Sequence, residues 1–172
     1  MVDFHSHVLP GMDDGARDLE TSLEMLSVSA SQGVDIVCAT PHFYPDRESP
    51  LDFLSRRAAA YEELLNSGTE LPAEVRLGAE VYYYPGMSGS HELKKLCIEG
   101  TKLLIVEPPM SPWNDAMLSE IEQTGGNLGL IPVLAHVDRY MRMLEDYELM
   151  DSLAGRRFLI QFNTDAFLDR DF

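Results

Sequence analysis

The chain opens Met1-Val2-Asp3-Phe4-His5-Ser6-His7, with two histidines two residues apart at the end of a short strand-like run. Side chains at i and i+2 of a β-strand point to one face, so His5 and His7 can grip one cation without distorting the backbone. Such a pair also arises on ordinary half-exposed strands, and its surroundings tip the balance. Directly behind it, Leu9-Pro10-Gly11-Met12-Asp13-Asp14-Gly15 reads as a loop that carries two more oxygen donors. Two further histidines close apolar runs, in Ala39-Thr40-Pro41-His42 and in Val133-Leu134-Ala135-His136. Glu80 interrupts Leu77-Gly78-Ala79-Glu80-Val81-Tyr82, and Glu107 ends Leu104-Ile105-Val106-Glu107. Either glutamate alone would read as an ordinary helix-start carboxylate; together with the imidazoles they form a pattern. Of the 5 histidines only His91 falls in a polar stretch, where it reads as a solvated surface residue.

Imidazole and carboxylate without thiolate suit Mn²⁺, Fe²⁺ or Zn²⁺ in a catalytic site better than a structural zinc knot. Closely spaced divalent ions activate water near neutral pH and neutralise charge on phosphoryl oxygens, which points to a polynuclear metal hydrolase. Arg139, in His136-Val137-Asp138-Arg139-Tyr140, is the candidate for binding a substrate phosphate through two oxygens at once, against the plainer reading of a salt bridge to Asp138.

Ligands scattered from residue 5 to residue 136 need a scaffold that gathers strand ends at one rim. Strand-like and helical segments alternate along the chain, the pattern of an α/β fold with parallel strands, whose carboxyl ends carry sites. The sequence predicts strands near Val2 to Ser6, Asp35 to Thr40, Arg76 to Tyr82, Lys102 to Val106, Ile131 to Ala135 and Phe158 to Phe162. Leu19, Leu23, Leu26 and Ala30 recur at helical spacing within Asp18 to Gln32, with Gly33 as the stop. Ser49-Pro50 announces a second helix with Phe53, Leu54, Ala58, Tyr61 and Leu65 inward and Gly68 at its end. Further helices are predicted over Asn114 to Thr124, closed by Gly125-Gly126, and from about Met143 to Ala154. No repeat, low-complexity tract or linker divides the chain, so residues 1–172 read as a single domain.

A length of 172 residues with 45% hydrophobic residues suffices for one substantial core. Thirteen basic against 29 acidic residues give a net charge of −16, which argues against general nucleic-acid binding. A phosphate substrate then needs a local cationic centre, which bound metal ions supply. Cys38 and Cys97 lie in separate segments without C-x-x-C spacing, so a disulfide framework is not expected; Cys38 reads as core and Cys97 is unplaced. Neither a secretory signal nor a bilayer-spanning run is visible, and a cytoplasmic location is the expectation.

These motifs resemble a known group, the polymerase-and-histidinol-phosphatase (PHP) superfamily, and within it the bacterial capsule-type protein tyrosine phosphatases. The resemblance rests on D-F-H-S-H at the start, D-D-G at Asp13 to Gly15, T-P-H at Thr40 to His42, G-A-E-V-Y-Y at Gly78 to Tyr83 and A-H-V-D-R-Y at Ala135 to Tyr140. It implies a distorted (β/α)7, TIM-like barrel with a metal cluster, commonly manganese, at its carboxyl-end rim. It further implies hydrolysis of phosphotyrosine on the tail of a bacterial tyrosine kinase that controls capsule or exopolysaccharide synthesis. Carried over by motif, His5 and His7 would bind one ion, Glu80 would bridge, Glu107 with His136 would complete a second, and His42 with Asp14 would reach a third. Arg139, His42 and Asp14 form the implied catalytic set. A small-molecule phosphoesterase of histidinol-phosphatase type and a metal-binding regulatory module are the alternatives.

One departure stands out. The resemblance implies a seventh strand bearing an S-D-x-H motif, whereas no histidine follows His136 here. The chain is therefore expected to be incomplete at the C-terminus: truncated, completed by a strand from a neighbour, or degenerate. An unclosed barrel exposes a strand edge, which makes a homo-oligomer a further expectation.

Overall fold

A computed structural model describes residues 1–143 and 149–167. In chain order the elements are β1 (Val2–Ser6), α1 (Leu19–Ser31), β2 (Ile36–Ala39), β3 (His42–Phe43), α2 (Pro50–Leu65), β4 (Glu74–Leu77), β5 (Glu80–Tyr82), β6 (Leu103–Glu107), α3 (Asp115–Leu128), β7 (Ile131–Leu134), α4 (Val137–Met143), α5 (Leu149–Leu153) and β8 (Leu159–Ile160). Short 3-10 turns occupy Met87–Gly89, His91–Lys95 and Thr164–Phe167. The strands form two parallel sheets, β1-β2-β4 and β3-β5-β6-β7-β8. The predicted α/β class with parallel strands is the one observed.

Two predicted strands are broken, and both breaks matter. The run Asp35 to Thr40 ends at Ala39, and His42 begins its own short strand rather than trailing the previous one. Pro41 between them has no N–H to give a ladder. The single strand expected over Arg76 to Tyr82 is two strands in different sheets, parted at Gly78-Ala79. A Cβ on Gly78 would lie 3.1 Å from both Ile98 Cγ1 and Thr40 Cγ2, so the bend packs too closely for a side chain. Hydrogen bonds from Gly78 N to Ala39 O (2.8 Å) and from Glu80 N to Pro41 O (3.0 Å) carry the pairing across both breaks. These are bends that re-aim the strands, and His42 and Glu80 stand side by side just past them.

The helices bury one stripe each. Asp18 caps α1, its Oδ1 accepting from Thr21 N at 2.9 Å, and Ser49 caps α2 by accepting from Asp52 N. The buried stripe of α2 is Phe53, Arg57, Ala60 and Leu64; Ala58 and Leu65, expected inward, are exposed. Helix α3 runs through Gly125-Gly126 instead of stopping there, and ends at Gly129 with φ 70°. Gly125 is held by packing: a Cβ there would sit 3.0 Å from Pro132 Cδ and 3.1 Å from Leu130 O. Of the helix predicted from Met143 to Ala154, α5 covers Leu149–Leu153 and residues 144–148 lie outside the described set. The strand predicted over Phe158 to Phe162 is confined to Leu159–Ile160.

Two apolar layers result. The main core joins Leu26, Phe43, Phe53, Leu64, Val81, Val106 and Leu134 between sheets and helices. Burying each such side chain stabilises the fold by roughly 1.5–3 kcal/mol. A second cluster of Cys38, Ile98, Ile105 and Ala135, with Phe4 and Leu103 against it, draws on strands of both sheets. Along β6 the two-residue period sends Leu104 and Val106 to the first cluster and Leu103 and Ile105 to the second, so Glu107 follows Ile105 to the inner face. At the far sides, β1 pairs only with β2 and β8 only with β7 among the described residues. A cleft of about 630 Å³ lies between these two edges, lined by Val2, Phe4, Gln161 and Asn163 among others.

Candidate metal centre

Glu80 is the hub. It is 1% exposed, and its Oε2 lies 3.2 Å from His5 Nε2, 3.1 Å from His7 Nε2 and 3.3 Å from His42 Nδ1. Its Oε1 lies 2.7 Å from His136 Nε2. Glu107 Oε2 stands 3.3 Å from the same His42 Nδ1, and the two Nε2 atoms of His5 and His7 are 3.3 Å apart. Six residues picked from strand ends thus converge: His5, His7, His42, Glu80, Glu107 and His136. The seventh, Asp14, is at the margin, its side chain 86% exposed with Oδ1 3.7 Å from His42 Nε2. One pairing differs from the motif-based expectation: Glu107 faces His42, while His136 faces Glu80.

The spacing fits metal ions better than it fits hydrogen bonds. Two ligand atoms each about 2.1 Å from one cation and about 100° apart stand about 3.2 Å from each other. Among the described residues, buried Glu80 Oε2, Glu107 Oε2 and His42 Nδ1 have no hydrogen-bond partner, a costly state unless something else satisfies them. Three overlapping sets can each close around an ion: His5-His7-Glu80, His7-Asp14-His42 and His42-Glu80-Glu107. Each set shares at least one residue with every other, as ligands of a compact multinuclear centre do.

Electrostatics point the same way. Burial alone would raise the Glu80 carboxyl, but the His136, His5 and His7 imidazoles beside it outweigh burial and hold the group far below the usual carboxylate range. Burial opposes charge on His7, yet Asp13 and Glu80 push it up to about 10; His42 is raised too, burial being overcome by Glu107 and Glu80. Both shifts favour the protonated form of His7 and His42 where the carboxylates have no better cation, and divalent ions would displace those protons.

A supporting layer was not foreseen. Asp13 Oδ2 accepts from His7 Nδ1 (2.7 Å) and from His42 N (2.8 Å), and Oδ1 accepts from Gly15 N (3.0 Å). With Nδ1 donating to Asp13, His7 presents the Nε2 lone pair to the centre. A Cβ on Gly15 would fall 2.3 Å from His7 Cβ and from His7 O, so only glycine lets this loop fold back on His7. On the opposite side, His136 adopts φ 33°, a left-handed conformation unusual outside glycine. Its backbone N donates to Gln161 Oε1 at 2.6 Å, and Tyr140 stacks on its ring at 5.7 Å. Arg57 Nη1 donates to Gly78 O at 2.6 Å from inside the core, bracing the bend before Glu80.

Arg139 is exposed and lines the same cleft of about 320 Å³ as His5, His7, His42, Glu80 and His136. Asp138 beside it is buried and accepts from Asn163 N at 2.9 Å, and among the described residues Arg139 has no ion pair with it. Cys38 and Cys97 are both buried and free, and His91 is exposed.

The family described as capsular polysaccharide synthesis, CpsB/CapC, matches residues 1–170. The chain belongs to this family. Tyrosine-protein phosphatase CpsB of Streptococcus agalactiae is 29% identical over 173 residues, covering 98% of this chain and 69% of that one. Tyrosine-protein phosphatase YwqE of Bacillus subtilis is 30% identical over 160 residues, covering 91% and 61%. A solved structure described with the YwqE and Streptococcus pneumoniae CpsB structures as metal-dependent tyrosine phosphatases superposes with a TM-score of 0.75 at 27% identity, over 94% of this chain and 66% of that one. The chain thus spans about two thirds of the length of these CpsB/CapC relatives, and the resemblance to capsule-type tyrosine phosphatases is one its sequence carries throughout.

Proposed function

We propose that this chain is a metal-dependent phosphoric monoester hydrolase that removes phosphate from tyrosine in a partner protein. One observation carries the reading: an orphaned, buried Glu80 oxygen ringed by three imidazole nitrogens at 3.1–3.3 Å, in a family with members named tyrosine-protein phosphatases. His5, His7 and Glu80 would hold one ion, His42 with Glu80 and Glu107 a second, and His7, His42 and Asp14 a third, giving two or three ions. Oxygen and imidazole donors without thiolate favour Mn²⁺, with Fe²⁺ or Zn²⁺ the other choices. Such ions supply an activated water and offset the charge of the phosphoryl group. The chain's own part is to orient: Asp13 fixes His7, His136 steadies Glu80, and Arg139 offers a guanidinium that can bind two phosphoryl oxygens.

The two parallel sheets, with His42 and Glu80 at the breaks between them, support an arc of a distorted (β/α)7 barrel, open between β1 and β8 among the described residues. Residues 1–172 form one domain in this reading. Its substrate would be a bacterial tyrosine kinase linked to capsule or exopolysaccharide synthesis, met in the cytoplasm; no described helix is long and apolar enough to cross a membrane. The edges of β1 and β8, each with one strand partner among the described residues, support a homo-oligomer. Turnover of p-nitrophenyl phosphate and of a phosphotyrosine peptide, lost in chelator, restored by Mn²⁺ and abolished by His136→Ala, is the expected result. Full activity in chelator rejects the reading, and hydrolysis of histidinol phosphate but not the phosphopeptide replaces the substrate.

A further inference from the structure

Beside the metal centre, sharing Asp14 and His42 with it, opens a second cleft of about 400 Å³ whose far wall is built from Tyr44 and Arg47. Tyr44 lies two residues beyond His42, and its ring stacks on the His42 imidazole with centroids 5.2 Å apart and planes at 24°. Tyr82 closes against it at 5.6 Å. The turn that follows brings Arg47 back: its N donates to Tyr44 O at 3.0 Å, and its guanidinium carbon sits 4.1 Å from the Tyr44 ring centroid. A cation on an aromatic face loses little of its hydrogen-bonding capacity, because its N–H edges remain free.

The other arginine of this cleft is committed. Arg56 is bound by Glu48 through two contacts of 2.6 and 3.1 Å, and it also donates to Met12 O. Arg47 is exposed and has no ion pair among the described residues. In a chain with 29 acidic and 13 basic residues, a pre-positioned, unpaired guanidinium next to the reacting centre calls for an anion brought by the substrate. It lines a different cleft from Arg139, the two meeting at Asp14 and His42, so it is placed for the polypeptide around the phosphorylated residue.

We infer that Arg47, held in place by Tyr44, recognises a carboxylate of a residue flanking the phosphotyrosine, giving the site a preference for acidic sequence context. This rests on the phosphatase reading above. Exposed charge pairs of this kind are worth up to about fivefold in binding.

The test uses the whole Mn²⁺-loaded chain and two phosphotyrosine peptides that differ only in carrying Asp or Asn at the positions next to the phosphotyrosine. Wild type should have kcat/KM about threefold to fivefold higher on the Asp peptide. Arg47→Gln should lose that ratio through KM, with a loss on the Asp peptide at least threefold larger than on p-nitrophenyl phosphate. Arg47→Lys should keep part of the preference. An unchanged Asp/Asn ratio in Arg47→Gln overturns the inference, as does an equal loss on p-nitrophenyl phosphate, which would assign Arg47 to the phosphoryl group itself. Absence of turnover on every ester would instead sink the phosphatase reading. In that case fluorescence anisotropy with the same two labelled peptides decides on Arg47: a preference for the Asp peptide that Arg47→Gln abolishes supports it, and equal binding rejects it.

Discussion

At the scale of single residues, ligand types were readable because a histidine or glutamate that ends an apolar run has few other reasons to be there. His5, His7, His42, Glu80, Glu107 and His136 came forward on that ground. What was not readable is how neighbours divide the work. Asp13 and Asp14 are identical side chains in one loop, yet Asp13 turns inward to His7 and the His42 backbone while Asp14 stays 86% exposed. Arg57 reads as a surface residue of α2 and is buried only because Gly78 O lies within its reach. Asp13→Asn should weaken Mn²⁺ binding by about 10- to 100-fold, since the amide can no longer hold His7 and His42 with the same charge-assisted bonds; a calorimetric titration matching wild type would refute the supporting role. The two thiols give a pH prediction. Burial pushes Cys38 and Cys97 up to about 11. The fold favours the neutral thiol, so this contribution is intact below the ordinary thiol pKa of about 9 and is lost as pH rises from there toward 11. At pH 8 only about one thiol in a thousand is thiolate, so iodoacetamide should label neither cysteine until denaturant is added. Prompt labelling of the native chain would contradict their burial.

At the scale of elements, periodicity located helices and strands, and glycine and proline placed their ends less reliably. Pro41 and Gly78 mark breaks where the chain passes from one sheet to the other, and pairing resumes just beyond them at His42 and Glu80. Gly125 and Gly126 read as a stop, but α3 continues because Gly125 answers to the closeness of Pro132 and not to the backbone's need for a left-handed turn. Such close approaches are tertiary facts that no local pattern encodes. The bends nonetheless decide the site: they set His42 and Glu80 abreast where straight strands would have passed. Gly15 belongs with them. Gly15→Ala forces a methyl group into His7 backbone, so the loop must lift and withdraw Asp13. The variant should stay folded by circular dichroism while its Mn²⁺-induced rise in melting temperature largely disappears; an undiminished metal-induced rise would show that the loop is not needed to hold His7.

At the scale of the whole molecule, the alternation of strand and helix made the parallel α/β architecture legible, together with the strand ends at which His5, His7, His42, Glu80, Glu107 and His136 converge. How the two sheets join was not, since it depends on which side chains meet: Phe4, Cys38, Ile98, Ile105 and Ala135 come from distant segments and form one small cluster. Edges β1 and β8 lack a second neighbour among the described residues, and unpaired edges recruit other chains. Sedimentation velocity at rising concentration should therefore reveal self-association, and a strict monomer throughout would remove that proposal. The proposal for the metal centre is narrower: His5, His7, His42 and Glu107 gather around Glu80, where they would hold divalent cations. Equilibrium dialysis against Mn²⁺ with elemental analysis tests it most directly. The account predicts two or three ions per wild-type chain and a loss of at least one in Glu80→Gln; a wild-type chain that retains no Mn²⁺, or a variant that binds as many ions as wild type, would contradict it.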